Sequence, residues 1–157
     1  MPTIQLKAMT RKLCHELYKH WANDASIYMD MHLFQPYVYD EGAVNRYFDT
    51  KGQDASRRLF AIMLGDKVIG ELQLKQIDHD KKECSLSIHM QNDAMKGKGY
   101  GTQAERLAVK TAFDELGMAA VNADTIRKNT RSQHVLEKVG FRFVGEDETF
   151  KYYRIEQ

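Results

Sequence analysis

Three glycines fall within five residues, Gly97-Lys98-Gly99-Tyr100-Gly101, between a strand-like stretch and a helical one. Upstream, Glu83–Met90 alternates, with Cys84, Leu86, Ile88 and Met90 on one face and Glu83, Ser85, Ser87 and His89 on the other. Downstream, Ala104, Leu107, Ala108, Thr111, Ala112 and Phe113 make an apolar helical face that Gly117 stops. A strand that passes through a glycine-rich turn into a helix is a ready anion site. First-turn N–H groups lack intrahelical partners, the dipole is positive there, and glycine lets a phosphate approach the backbone. Residues 97–102 are therefore a candidate pyrophosphate cradle.

Two familiar phosphate loops fail here. A nucleoside-triphosphate loop needs GxxxxGK[ST], and Gly97 has no Gly-Lys five residues on. A dinucleotide fingerprint needs GxGxxG, and this pattern is GxGxG, one residue short. Asp124 mimics the acidic residue that follows such a fingerprint, but only 56 residues remain after Gly101. That is too little for the rest of a dinucleotide domain plus a substrate domain.

The remaining chain reads as one domain over residues 1–157, with no repeat and no linker. A strand over 4–9 is followed by Thr10 as an N-cap and a helical stripe of Leu13, Leu17 and Trp21, with Cys14 and Tyr18 beside it. Residues 28–39 are irregular and rich in Met and aromatics, and 41–48 read as a second helix. The stretch 58–64 is apolar on both faces, as a central strand is, and Gly65-Asp66 turns it into a return strand over 67–75. A polar turn over 77–82 leads to the alternating strand. After the glycine-opened helix come a strand over 120–126, a helix over 129–139 ended by Gly140, and strands over 141–144 and 150–155. This order predicts an α+β (α/β-like) fold, a mixed sheet with helices on both faces.

The formal charge of +1 gives no basic surplus for nucleic acid and no strong field for any polyion. Cys14 and Cys84 are too few and too far apart for a disulfide scaffold and read as buried thiols. His15, His20 and His32 lack metal-ligand spacing, so no metal is expected. The first residues lack a signal-peptide pattern, and no apolar run reaches the ~20 residues of a membrane span, which predicts a cytoplasmic protein with no membrane partner.

Two blocks together carry a family likeness. Lys96-Gly97-Lys98-Gly99-Tyr100-Gly101-Thr102 resembles the Q/R-x-x-G-x-G/A signature of the GNAT N-acetyltransferase superfamily, with Lys96 at the Gln/Arg position. Asn129-Thr130-Arg131-Ser132 and Leu136-Glu137-Lys138-Val139-Gly140-Phe141 resemble its second block. The likeness covers nearly the whole chain. Within the superfamily it is most similar to the RimJ/RimL-type branch, through Leu86-Ser87-Ile88-His89-Met90, the glycine loop and Phe34-Gln35-Pro36-Tyr37.

The resemblance implies a mostly antiparallel seven-stranded GNAT sheet and acetyl transfer from acetyl-CoA to a primary amine by direct attack. The acceptor would be a protein N-terminus or a small molecule. It also implies that the amides of Gly97, Lys98, Gly99, Tyr100, Gly101 and Thr102, with Lys96, hold the CoA pyrophosphate. Main chain near Ile88, His89 and Met90 would pair with pantetheine and polarise the thioester carbonyl. Asn129 and Ser132 would touch the cofactor arm, though an N-cap reading of Asn129 stays open. The family's usual strand Glu is Ser85 here, and its usual helix Tyr is Leu136. Ser132, His89 and Glu83 are the remaining catalytic candidates, and a non-catalytic acyl-CoA sensor is the alternative function. Phe34, Tyr37 and Tyr39 either wall an acceptor pocket or belong to the core. Homodimers are a family habit, but nothing in the sequence marks an interface.

Overall fold

The computed structural model describes residues 3–22 and 36–157. Its elements follow in the order β1 (Ile4–Ala8), α1 (Arg11–Lys19), α2 (Glu41–Gly52), β2 (Arg58–Leu64), β3 (Lys67–Asp78), β4 (Glu83–Met90), α3 (Tyr100–Asp114), β5 (Ala120–Ile126), α4 (Thr130–Val139), β6 (Arg142–Glu146) and β7 (Phe150–Glu156). Seven strands among these residues form one sheet ordered β1-β2-β3-β4-β5-β7-β6. Every neighbouring pair is antiparallel except β4 and β5. The sequence-predicted element order and fold class hold.

Each sheet face buries its own apolar layer. Leu72, Leu74, Cys84, Leu86 and Val121 pack against α3 and α4, where Ala104, Ala108 and Ala112 allow close approach and Leu136 fills the gap. On the other face Ala61, Met63 and Val68 meet Cys14, Leu17 and Val44 of α1 and α2. Thr10 caps α1 as expected, its hydroxyl accepting from Leu13 N at 3.1 Å. Both thiols are buried, which pushes Cys14 up to about 12 and Cys84 up to about 11. Neither is a nucleophile at neutral pH.

Several boundaries move. Helix α2 continues past Phe48 to Gly52. Strand β3 continues through a bulge, with Gln76 at φ 53° and a register shift between Lys75 and Asp78, so the turn shortens to residues 79–82. The bulge breaks the two-residue period, which makes the strand look finished at Lys75. Phe141 is not a strand residue: it caps α4 by donating its N–H to Leu136 O, and β6 starts at Arg142 and runs to Glu146. Leu107, expected in the core, is 36% exposed, while Glu105 and Val109 lie on the buried face of α3.

Glu105 is a charged residue type 2% exposed, and its Oε1 has no partner among the described residues. Burial pushes its carboxyl up to about 8. The folded chain therefore holds a proton that the unfolded chain releases, and stability falls as pH rises from about 4.5 to about 8. At ~1.36 kcal/mol per unit the penalty at alkaline pH is bounded by ~5 kcal/mol. Glu105→Gln removes the charge but still buries an amide, so a gain of ~2 kcal/mol is expected above pH ~8. Thermal melts across pH check this: the gain over the parent should grow from acid to alkaline pH. A pH-independent difference would be the contrary result.

Candidate active site

The parallel pair β4–β5 has three rungs: Glu83↔Ala120, Cys84↔Val121 and Ser85↔Asn122. Beyond them β4 runs on beside β3 to Met90, and β5 runs on beside β7 to Ile126. The two strands form a fork that opens toward their C-terminal ends.

The glycine loop leads from the open end of β4 into α3. Gly97 and Gly99 take φ of 74° and 82°, left-handed values that glycine adopts without strain. Gly99 is the N-cap and supplies no side-chain cap, so the first-turn N–H groups stay unspent. A Cβ on Gly97 would meet nothing within 4 Å. These are the features a pyrophosphate cradle requires. Lys98 is exposed and Lys96 half-buried, whereas the Tyr100 ring turns into the core at 8% exposure, so only its backbone faces the loop. Asn129 is the N-cap of α4 and accepts from Ser132 N at 3.1 Å.

Two cavities adjoin the fork on the face opposite α3. One, of about 270 Å³, lies at the crotch between Ser85, Leu86 and Ser87 of β4 and Asn122, Ala123 and Asp124 of β5, with Tyr152 and Tyr153 beside them. The other, of about 460 Å³, lies between the sheet and the two first helices. Its aromatic wall is Tyr18, Trp21, Tyr37 and Tyr47; its floor is Glu71, Gln73, Lys75, Ser87 and His89; Lys51 and Arg57 complete it. Lys75 and Ser87 line both cavities.

Glu71 stands at the heart of the larger cavity's wall. It is 2% exposed and lies directly across the ladder from His89. Tyr47 Oη donates to it at 2.7 Å, Gln73 Nε2 at 3.2 Å, and Tyr18 Oη also donates to its Oε1. Gln73 in turn accepts from Arg57, which pairs with Asp54 at 3.3 Å. Burial pushes the Glu71 carboxyl up to about 7, the Gln73 hydrogen bond working the other way. A buried carboxylate that titrates near neutrality beside a cavity is suited to accepting a proton.

The earlier candidates divide. His89 lines the cavity from an exposed position; desolvation by the concave floor, then the charges of Lys75 and Lys96, hold its pKa below the usual imidazole range. Glu83 sits at the closed end of the fork and accepts from Arg154 of β7 at 2.5 Å and Asn122 of β5 at 3.1 Å. Those hydrogen bonds, Arg154 first, hold its carboxyl below the usual range, so it is a clip across three strands and a poor base. Tyr37 lines the cavity, but Tyr39 does not; Tyr39 packs on α1 and hydrogen-bonds His15 Nδ1 at 2.6 Å. Phe34 and the aromatic stretch before it lie outside the described residues. Leu136 is 3% exposed, a core residue where a catalytic hydroxyl would otherwise stand.

Sequence reasoning missed Glu71, although a signal exists. Within Val-Ile-Gly-Glu-Leu-Gln-Leu, two polar side chains interrupt a strand that is otherwise continuously apolar. Among the described residues no cluster of His, Cys, Asp and Glu could hold a metal, and no helix is long and apolar enough to cross a membrane.

Comparison with known proteins agrees with this fold. Residues 4–142 match the family model described as an acetyltransferase (GNAT) domain. The probable N-acetyltransferase YjcK of Bacillus subtilis is 37% identical over 76 residues, 48% of this chain and 42% of that protein. The spermidine N(1)-acetyltransferase of Escherichia coli K12 is 26% identical over 99 residues, 63% of this chain and 53% of that protein. The matches thus span about half the length of these curated relatives. The crystal structure of the Vibrio cholerae spermidine N-acetyltransferase in complex with CoA and spermine superposes with a TM-score of 0.80 at 18% identity, covering 99% of this chain and 96% of that one. The Campylobacter jejuni N-acetyltransferase PseH superposes with a TM-score of 0.74 at 19% identity, covering 99% of both chains. With the forked sheet, the glycine-opened helix and a family match over most of its length, the chain belongs to the GNAT acetyltransferase domain family.

Proposed function

We propose that this chain, acting as one catalytic domain over residues 1–157, transfers an acetyl group from acetyl-CoA to the primary amine of a small molecule. The observation that carries the reading is the fork of β4 and β5 with an uncapped helix start at its open end and a titratable cavity beside it. Residues 96–102 hold the pyrophosphate, and main chain at Ile88, His89 and Met90 pairs with pantetheine. The Asn129 cap uses its oxygen alone, so its Nδ2 donors serve the cofactor arm.

The amine nitrogen attacks the thioester carbon, the C–S bond breaks, and the amine's proton leaves toward Glu71 through the Tyr18 or Tyr47 hydroxyl. His89, kept neutral, is a second acceptor for that proton. Ser132, in the first turn of α4, is the partner of the leaving thiolate, where the positive helix end favours an anion. The proton taken up at Glu71 is returned through solvent to the thiolate, so the products are the amide and CoA thiol and Glu71 is ionised again for the next cycle. A concave site with four aromatic rings in its wall supports a small molecule over the protein N-terminus that a RimJ/RimL-type enzyme takes. The relatives named for spermidine support a small amine acceptor.

The test is thermal unfolding with acetyl-CoA, CoA, ATP and NAD, followed by amine turnover with free-thiol detection. Acetyl-CoA and CoA at ~100 times Kd should each stabilise by ~2.7 kcal/mol, and ATP and NAD should not. No response to acetyl-CoA would sink the reading. Binding without turnover on any amine would instead mark an acyl-CoA sensor.

A further inference from the structure

Three cations, Lys51, Arg57 and Lys75, line the larger cavity, and Glu71 is the one carboxylate among the described residues that do. Arg57 is partly neutralised by Asp54 at 3.3 Å, and Lys51 lies 5.8 Å from the Tyr47 ring centroid. Lys75 has no ion-pair partner among the described residues. Glu71 is already satisfied by Tyr18, Tyr47 and Gln73, and burial keeps it only partly charged at neutral pH. Among the described residues the walls are therefore positive overall. A polycation entering here would bring further ammonium groups toward like charges in a half-desolvated space, where such contacts are strongly unfavourable. An oxyanion would meet donors.

We propose that the acceptor is a primary amine whose own molecule carries an oxyanion, a carboxylate or a phosphate, and that polyamines are poor substrates despite the spermidine acetyltransferases among the relatives. This rests on the acetyltransferase reading above. Glu71 and Lys75 lie on one face of β3, four residues apart, or ~13 Å at ~3.3 Å per residue. The amine is bound at the Glu71 and His89 end, near the strand that presents the thioester. The oxyanion is bound toward Lys75, whose long flexible side chain can lean back along this face toward Glu71 and so bring its ammonium within reach of a small bifunctional molecule.

Trp21 lines the cavity and is the single tryptophan of the chain, so its fluorescence reports occupancy without turnover. The experiment titrates glutamate, β-alanine and O-phosphoethanolamine against spermidine and spermine, reading Trp21 fluorescence and kcat/KM at saturating acetyl-CoA. At least one anionic amine should exceed both polyamines by ~10-fold or more in each readout. The carboxylate and phosphate compounds separate the two oxyanion sources. Lys75→Glu should lower that preference by ~100-fold and improve spermidine, while its acetyl-CoA-dependent melting shift stays that of the parent. Polyamines equal to or better than every anionic amine would overturn the proposal, as would a Lys75→Glu variant with unchanged preference. Loss of the acetyl-CoA melting shift in the parent would instead show that the acetyltransferase reading had failed.

Discussion

Glu71→Gln should lower kcat/KM by roughly 100- to 10,000-fold, the range that a positioned proton acceptor contributes. The substitution keeps the volume and an acceptor oxygen for the Tyr18 and Tyr47 hydroxyls, so the fold and the acetyl-CoA shift should persist, with a melting temperature no lower than the parent's above pH ~7. The pH profile carries the stronger signature. Parent activity should fall as pH drops through about 7, because burial raises the Glu71 carboxyl to that value and only the ionised form accepts a proton. In the Gln variant that acid limb should vanish. Stability runs the other way: a carboxyl raised from 4.5 to about 7 makes the folded state bind the proton more tightly, so stability declines as pH rises across that window. For this group the active form is the less stable one. An acid limb that survives unchanged in Glu71→Gln would move the base to His89.

Gly101→Asp should abolish measurable acetyl-CoA binding, a loss of ~100-fold or more, while the fold holds or gains slightly. A Cβ at Gly101 would meet only Val135 Cγ1, at 3.9 Å, which is ordinary contact, and this glycine does not take a positive φ. A carboxylate in the first turn of α3 is favoured by the helix dipole, worth ~0.3–1 kcal/mol. If residues 97–102 were only a turn, the variant would bind acetyl-CoA as the parent does. A cradle for pyrophosphate instead places the new charge against two phosphates. Calorimetric titration of parent and variant, with a melt of each, separates these outcomes.

The contrast between Glu71 and the glycine loop shows what was legible in the chain. A glycine-opened helix start is local: successive residues supply the φ values and the N-cap, so the conformation of Gly97 to Gly101 could be read in place. The order of elements was equally local, since each strand and helix carries its own period. The larger cavity is not. Tyr18 comes from α1, Tyr47 from α2 and Glu71 from β3, and nothing in their spacing says that they converge. Glu83 and His89 share a strand face, which the period reveals. That Arg154, seventy-one positions away, occupies Glu83 depends on β7 lying two strands over. Likewise the sequence pattern placed Leu107 on the apolar face of α3, and only packing shows Glu105 turned inward beside Val109 instead.

The fork has a mechanical meaning as well. Sheets that end in an edge expose a row of unpaired amides, which other chains can extend. Here the sheet carries such edges in its interior, along β4 beyond Ser85 and along β5 beyond Asn122, where the ladder stops after three rungs. The β1-to-β4 leaf and the β5, β7, β6 leaf are thus joined by a short seam and the Glu83–Arg154 clip. A ligand bearing amide groups of its own can act as the missing strand and bridge the leaves. In hydrogen exchange, the inner-edge amides of β4 should then be the ones whose protection rises most when such a ligand is bound, with the leaves stiffening together as one sheet.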